Sequence, residues 1–132
     1  ELEADFSGKT FGRIDQSIAM GALFTAYHLG AKAIVALTDS GSTPLWMSRH
    51  RIHVPIYALT PRVATQRRMA LYRNVRPLLM DTSVDRDTAL AEAEGHLKSR
   101  NIVQRGDVYA ITCGEPMGAP GGTNMLKICQ VG

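Results

Sequence analysis

The chain has 132 residues, 45% of them hydrophobic and 20% charged, and a formal net charge of +3. That length and composition fit one globular domain with a sizeable core and argue against a mainly disordered chain. No apolar run approaches the roughly 18 residues of a membrane span, and no signal peptide is visible, so we expect no membrane partner. The two cysteines, Cys113 and Cys129, are too few for a disulfide scaffold and lack metal-ligand spacing, which predicts that both are reduced and unpaired.

The sequence divides into a short tail and one domain. Residues 1–12 are polar, contain two glycines and have no clear period, which predicts a linker. Residues 13–132 carry regular apolar patterns throughout and are predicted to form a single α/β domain. Because the chain starts with Glu1 rather than Met, we interpret it as a piece of a longer polypeptide.

The first element is a predicted helix capped by Asp15, with apolar residues at three-and-four spacing and a stop at Gly30. The apolar run Ala33–Leu37 that follows is typical of a buried strand. The next segment, Thr38–Thr43, has the composition of a turn. It leads into a second helix, which we expect to begin at Pro44 with Thr43 as its cap.

The same order of elements then recurs. Pro55–Leu59 predicts a second strand, and Thr60 with Pro61 predicts the start of a third helix that ends near Arg73. A third strand is expected over Val75–Met80.

The last part of the chain departs from this alternation. Asp85 is the expected cap of a long helix, which is followed by a fourth strand over Val108–Thr112. A glycine-rich loop, Gly114–Gly122, then leads directly to a fifth strand over Met125–Cys129. With no helix between the last two strands, the fifth should be antiparallel and lie at an edge. The pattern predicts a three-layer α/β/α sandwich around a five-stranded, mostly parallel sheet.

Two loops follow strand ends, where ligands gather in open parallel sheets. In the first, the hydroxyls of Thr38, Ser40, Ser42 and Thr43 surround Gly41 just before a helix, a pattern that favours an anion. The second contains Gly118, Gly121 and Gly122, which permit close backbone approach to a ligand. Spacing alone leaves open an ordinary capped turn for the first loop and a hairpin-like connection for the second.

Several familiar sites are missing from the sequence. There is no Gly-Lys-Ser/Thr phosphate loop and no Gly-x-Gly-x-x-Gly fingerprint, and the four histidines show no paired-ligand spacing. We expect no metal site and no catalytic residues. Asp39 and Glu115 are the one pair of carboxylates expected at strand ends, so a small free-standing enzyme built on them is a further hypothesis.

Charge is unevenly distributed along the chain. Between Gly41 and Met80 there is no Asp or Glu, and seven arginines fall there: Arg49, Arg51, Arg62, Arg67, Arg68, Arg73 and Arg76. Such a block could bind a polyanion, so a nucleic-acid-binding module that uses the segment Arg49–Arg76 is the alternative function. Because the arginines are not interleaved with aromatic stacking residues, solvated helix faces are favoured over nucleic acid.

The order of phrases along the chain resembles the C-terminal domain of pyruvate kinase. The phrases that carry the resemblance are Ile18-Ala-Met-Gly-Ala22, Ala31-Lys-Ala-Ile-Val-Ala-Leu-Thr-Asp-Ser-Gly41, Ser48-Arg-His-Arg51, Val54-Pro-Ile-Tyr-Ala-Leu-Thr60, Gly106-Asp-Val-Tyr-Ala-Ile-Thr112 and Gly114-Glu-Pro-Met-Gly-Ala-Pro-Gly-Gly-Thr-Asn-Met-Leu-Lys127. The last phrase is the most specific, and together they cover about residues 13–132.

The resemblance implies a cytoplasmic regulatory and subunit-contact domain of an enzyme that transfers phosphate from phosphoenolpyruvate to ADP. The catalytic barrel of the same polypeptide would carry the reaction with magnesium and potassium, and none of its motifs occurs here. The implied partners are a sugar phosphate or nucleotide monophosphate effector and further copies of the chain. This fragment is expected to need no cofactor and to be no enzyme alone.

By position, the resemblance places the effector phosphate at Thr38, Ser40, Gly41, Ser42 and Thr43. This sequence departs from the family pattern at two positions. Family members commonly have Arg where Ser42 stands, and some have Lys where Asp39 stands. A carboxylate there would repel phosphate by roughly 1 kcal/mol, comparable to the attraction of a helix dipole. We therefore expect a weak site, a monophosphate-selective site, or one rebuilt with an arginine from the basic segment.

Overall fold

The structure, a computed structural model, describes residues 13–115, 117 and 122–132. The predicted linker, residues 1–12, lies outside this part. The described helices are Ile14–Leu29 (α1), Ser42–Ser48 (α2), Val63–Met69 (α3) and Arg86–Ser99 (α4). The described strands are Ile34–Leu37 (β1), Ile56–Thr60 (β2), Val75–Leu79 (β3), Val108–Gly114 (β4) and Thr123–Gln130 (β5).

The strands form one sheet in the order β3-β2-β1-β4-β5. The first four strands are mutually parallel, and β5 pairs antiparallel with β4 at one edge. The predicted mostly parallel sheet with an antiparallel last edge strand is confirmed. The carboxyl-terminal ends of strands β1 to β4 lie along one side of the sheet, called here the carboxyl edge. Their amino-terminal ends lie along the opposite side, called the amino edge.

Two apolar cores lie on the two faces of the sheet. On one face, side chains of α1, α2 and α3 pack on the sheet, with Leu23, Met47 and Met69 fully or almost fully buried. On the other face, Ala89, Ala93 and Leu97 of α4 pack against a second group of strand residues. The three-layer α/β/α arrangement follows, because every central strand buries side chains on both faces.

The register of the antiparallel pair β4 and β5 sets the positions of the two cysteines. Cys113 lies opposite Met125, and Cys129 lies opposite Tyr109. The register thus separates the two sulfurs along the strands, and both cysteines are free, as predicted. Burial raises the pKa of the Cys113 thiol above its ordinary value.

Two helix starts differ from the sequence prediction. Helix α1 begins at Ile14 after an extended Arg13, so Asp15 lies in its first turn and is not its cap. Helix α2 begins at Ser42, and its cap is Gly41 rather than Thr43. Asp15 and Thr43, the predicted cap residues, are both buried and hydrogen-bonded to residues distant in sequence. Because these tertiary contacts occupy their side chains, neither residue caps its helix.

Helix α3 is shorter than predicted. Thr60 completes β2 and accepts a hydrogen bond from the Arg62 amide at 3.2 Å, so the helix starts only at Val63. After Met69, the amides of Leu71 and Tyr72 bond three residues back rather than four, which closes the helix in tight turns. In the described residues, no helix is long and apolar enough to cross a membrane.

Candidate functional site

The loop Thr38–Thr43 leaves the carboxyl edge at β1 and turns sharply into α2. The Gly41 amide donates to Thr38 Oγ1 at 2.8 Å, and Gly41 has φ of 83°, a left-handed conformation that favours glycine. A Cβ at this position would lie 3.2 Å from Met69 Cγ and 3.4 Å from Thr65 Cγ2. Gly41 is therefore required both for the turn and for the close approach of α3.

Helix α3 holds the carbonyls of this loop. Thr65 Oγ1 donates to the Asp39 carbonyl at 2.9 Å, and a nitrogen of Arg68 donates to the Ser40 carbonyl at 2.6 Å. Among the described residues, no acceptor takes the amide N–H of Asp39, Ser40 or Thr43. Two carbonyls of the loop are therefore engaged by α3, and three of its amides have no acceptor within the described part of the chain.

The charge of Asp39 is balanced within the site. Arg62 Nε lies 2.9 Å from Asp39 Oδ1, and the Asp39 side chain is only 10% exposed whereas that of Arg62 is 62% exposed. The hydrogen bond and the charge of Asp39 raise the pKa of Arg62 further above its ordinary value. An arginine of the basic segment thus lies beside the Asp39 carboxylate.

The four hydroxyls of the loop divide into two pairs. Thr38 and Ser40 accept hydrogen bonds from the amides of Gly41 and Ser42, which leaves their own protons available to a ligand. Ser42 Oγ instead donates to Asp15 Oδ2 at 2.7 Å.

The other member of the second pair is Thr43, whose Oγ1 donates to Thr123 Oγ1 at 2.8 Å. Asp15 in turn forms an ion pair with Arg13 at 2.8 Å, which places a guanidinium nitrogen 3.5 Å from Ser42 Oγ. Ser42 and Thr43 therefore tie the loop to α1 and β5, and Thr38 and Ser40 are its free hydroxyl donors.

Gly114, Met117 and Gly122 of the second predicted loop form the facing wall. The two loops enclose a narrow cleft, called here the carboxyl-edge cleft, which is lined by Leu37, Thr38, Asp39, Ser40, Ser42, Thr43, Thr82, Gly114, Met117, Gly122 and Thr123. Gly118 and Gly121 lie outside the described residues. The free volume is about 20 Å³, enough for a water molecule but too small for a phosphate group.

The glycine-rich loop is closed at its base by a side chain. Asn124 Oδ1 accepts from the Glu115 amide at 3.0 Å, and Asn124 Nδ2 donates to the Glu115 carbonyl at 3.1 Å. The Glu115 side chain does not line the cleft, and Asp39 is already paired with Arg62. The geometry therefore does not favour a catalytic pair of carboxylates at this edge.

Residue-level analysis of the sequence missed most of the supports of this cleft. Asp15, Thr65 and Thr123 come from three different elements, and their pairing with the loop is a property of the sheet order. Arg62 and Arg68 were noticed only as members of a basic block. The available signal was their position at the start of and within the helix that follows β2, since β1 and β2 are parallel neighbours that end at the same edge.

The basic block is not one surface in the structure. Arg62 and Arg68 face the Thr38–Thr43 loop, Arg76 donates to Tyr57 Oη at 2.8 Å, and the Arg49 guanidinium lies 4.6 Å from the Trp46 ring centroid. This dispersal gives no support to a continuous nucleic-acid stripe. Within residues 13–115, 117 and 122–132, no group of three or more His, Cys, Asp or Glu could hold a metal ion.

Comparison with known proteins gives a consistent result. A family model described as "Pyruvate kinase, alpha/beta domain" matches residues 16–129. The chain is 38% identical to a pyruvate kinase of Buchnera aphidicola over 122 residues, which are 92% of this chain and 26% of that protein. It is 36% identical over 122 residues to pyruvate kinase II of Salmonella typhimurium, with 92% and 25% covered.

A pyruvate kinase of Staphylococcus epidermidis is 39% identical over 116 residues, which are 88% of this chain and 20% of that protein. The chain thus spans only about a fifth to a quarter of the length of these relatives. The family match covers the described sheet except Gln130 and the four described helices except the first two residues of α1. It also includes the described residues on both walls of the carboxyl-edge cleft. This chain belongs to the family of pyruvate kinase alpha/beta domains.

Proposed function

We propose that this chain is the effector-binding and subunit-contact domain of a pyruvate kinase, which transfers phosphate from phosphoenolpyruvate to ADP. The family match and relatives that are all named pyruvate kinase support this proposal. A catalytic barrel elsewhere in the same cytoplasmic polypeptide carries the reaction with magnesium and potassium. The 132-residue chain alone should form no pyruvate from phosphoenolpyruvate and ADP, and measurable turnover would contradict the proposal.

The effector is a sugar phosphate or a nucleotide monophosphate, and its phosphate binds in the carboxyl-edge cleft. This assignment rests on a set of donors on one loop that have no acceptor among the described residues. They are the amides of Asp39, Ser40 and Thr43 and the hydroxyls of Thr38 and Ser40. Because these N–H and O–H groups have no acceptor within the loop, they can donate hydrogen bonds to the oxygens of an anion.

The site as it stands must widen before a phosphate can enter. Its free volume of about 20 Å³ is limited by the side chains and glycines of the facing wall, among them Met117 and Gly122. We expect the facing wall with Gly122 to move away as the effector enters and then to close over the remainder of the effector. Part of the binding free energy is spent on that change, which fits millimolar affinity for the chain alone, about −4 kcal/mol.

The role of Arg62 gives the sharpest test of the cleft. Replacing Arg62→Gln leaves Asp39 as an unbalanced negative charge beside the donors, and we expect phosphate binding to weaken roughly fivefold. The double variant Arg62→Gln with Asp39→Asn removes both charges and should restore the original affinity. Asp39→Lys should bind phosphate more tightly than the unaltered chain, because it replaces a carboxylate with a second cation.

These affinities are measured by following amide NMR shifts during titration with ribose phosphate, glucose phosphate and AMP. Arg67→Gln is the matched control, because it removes the same charge from an exposed position on α3 that does not line the cleft. If residues 38–43 keep their shifts with all three compounds, the effector role is wrong and only the assembly role remains. Equal weakening by Arg67→Gln and Arg62→Gln would also contradict a specific role for Arg62.

The subunit-contact role is supported by an apolar surface on α1 and β5. Phe24, Tyr27 and Leu29 of α1 and Ile128 of the edge strand are all more than a third exposed. Lys127 is the one charged residue on β5, so little prevents edge-to-edge pairing with a second copy. We expect self-association by light scattering at high concentration, and a Tyr27→Glu change should abolish it. A monomeric mass for the unaltered chain would count against this contact.

A further inference from the structure

A second cleft lies at the amino edge, on the opposite side of the sheet from the Thr38–Thr43 loop. It is formed by the residues just before β2 and just before β3. This amino-edge cleft is lined by His50, Arg51, Ile52, His53, Arg73 and Asn74. Its volume is about 440 Å³, within the roughly 300–1,000 Å³ of ligand pockets. None of the described residues in its lining is acidic.

The two arginines in this cleft differ from the other arginines of the basic block. Arg62, Arg68 and Arg76 each bond to a protein oxygen. Among the described residues, neither Arg51 nor Arg73 has an ion pair, a hydrogen bond or a ring contact. Both are exposed and both line the same cleft, which therefore carries two positive charges that have no partner in the part of the chain that the structure describes.

A single side chain holds the two walls of the cleft together. Asn74 Nδ2 donates to the Val54 carbonyl at 2.7 Å and to the Ile52 carbonyl at 3.3 Å. Asn74 also has φ of 63°, which asparagine tolerates better than most residues, and its own carbonyl accepts from the Ile56 amide at 3.1 Å. The segment that carries Arg51 is therefore fixed relative to the segment that carries Arg73.

We propose that the amino-edge cleft binds a small polyanion with closely spaced phosphate groups, held by the guanidinium groups of Arg51 and Arg73. Guanidinium is planar and donates paired hydrogen bonds, which suits the oxygens of phosphate groups. The fixed backbone means that little ordering of the walls is required when the ligand binds. This site is independent of the carboxyl-edge cleft and does not rest on the proposed effector role.

A small ligand is favoured over single-stranded nucleic acid because the described lining has no large aromatic side chain. Its ring-bearing residues are His50 and His53, and none of the described lining residues is a Phe, Tyr or Trp on which successive bases could stack. The nearby Trp46 has its ring covered by the Arg49 guanidinium at 4.6 Å from the centroid. A ligand that needs charge and hydrogen bonds but no stacking fits these residues.

The test is an NMR titration of the 132-residue chain with inorganic pyrophosphate at low ionic strength. We expect shifts in the amides of residues 50–54 and 73–74. Arg51→Gln and Arg73→Gln should each weaken binding at least roughly tenfold, because each removes hydrogen bonds between charged groups. Arg51→Lys should recover only part of the affinity, since it restores the charge without the planar pair of donors.

Arg67→Gln serves here as the matched control and should change the affinity less than twofold. Its exposed guanidinium lies on α3, outside the cleft, and its removal changes net charge by the same amount. Equal weakening by all three glutamine variants would overturn the proposal in favour of diffuse attraction. Shifts confined to residues 38–43 would overturn it too, while leaving the effector role intact. Tighter binding of a single-stranded oligonucleotide through Arg51 and Arg73, with a steep salt dependence, would overturn it in favour of nucleic acid.

Discussion

The two clefts lie at opposite edges of one sheet and differ in how far their polar groups are already satisfied. At the carboxyl edge, Asp39 is paired with Arg62, and Ser42 is bonded to Asp15. The free volume there is about 20 Å³. At the amino edge, Arg51 and Arg73 have no partner among the described residues, and the cleft holds about 440 Å³.

Under the two proposals made above, this difference corresponds to two ways of building an anion site. The carboxyl edge uses backbone donors on a loop that other elements hold in place, so its selectivity depends on geometry and on a wall that must open. The amino edge uses long side chains on a fixed backbone, so its attraction depends mainly on charge. The first kind of site should discriminate between ligands, and the second should respond strongly to salt.

The largest expected effect is at Gly41, where the carboxyl-edge geometry is least tolerant. Gly41→Val places a β-branched residue at φ of 83° and a Cβ within 3.2 Å of Met69 Cγ. Strained backbone and overpacking each cost roughly 1–3 kcal/mol, so we expect a loss of about 4 kcal/mol in the free energy of unfolding. Urea denaturation measures the loss, and phosphate binding at residues 38–43 should vanish with it.

Gly95→Val is the matched control for this change. Gly95 lies in the middle of α4, and a Cβ there would have no atom within 4 Å. The same substitution should therefore alter stability by no more than roughly 1 kcal/mol. A similar loss at both positions would mean that the Thr38–Thr43 turn is not held as tightly as its contacts indicate.

The amino edge should show a smaller effect at its own left-handed residue. Asn74→Ala removes the hydrogen bonds to Ile52 and Val54 and leaves alanine at φ of 63°. We expect the free energy of unfolding to fall by about 2 kcal/mol and pyrophosphate binding to weaken, with no change at residues 38–43.

Asn74→Gly separates the two causes, because glycine accepts the backbone conformation but lacks the side-chain amide. Its loss should be about 1 kcal/mol, and pyrophosphate binding should weaken as it does in Asn74→Ala. If Asn74→Gly binds pyrophosphate as tightly as the unaltered chain, the two walls of the amino-edge cleft do not depend on this clamp.

The architecture could be predicted from the sequence because local signals agreed with one another. Five apolar runs became five strands, and the missing helix before the last run gave the antiparallel β5 correctly. Asp85 was identified as a cap because its partner, Thr88, is three residues away. The predicted starts of two helices were wrong because the expected cap residue bonds to a distant partner, Asp15 to Ser42 and Thr43 to Thr123.

The candidate sites were harder to predict for the same reason. Thr38–Thr43 stood out because its residues are contiguous, and the structure does place them together at a cleft. The amino-edge cleft is assembled from two segments about twenty residues apart, Arg51 and His53 on one and Arg73 on the other. In the sequence, these arginines belong to one basic block. Only the parallel pairing of β2 with β3 shows which of them line the same cleft.

The smallest expected effect concerns pH and sharpens the contrast between an edge with carboxylates and an edge with arginines. Asp85, at the start of α4, accepts hydrogen bonds from the hydroxyl and the amide of Thr88, which lower the pKa of its carboxyl below the ordinary value. A lowered folded-state pKa means that this stabilisation is present above the unfolded pKa of about 3.9 and is lost as the pH falls through the folded pKa.

Asp85→Asn keeps a capping side chain that does not titrate, so comparison with this variant isolates the contribution of the Asp85 charge. The unaltered chain should melt at a higher temperature than Asp85→Asn at pH 7, and the gap should close near pH 2. A gap that stays constant over this range would show that the charge of Asp85 contributes nothing.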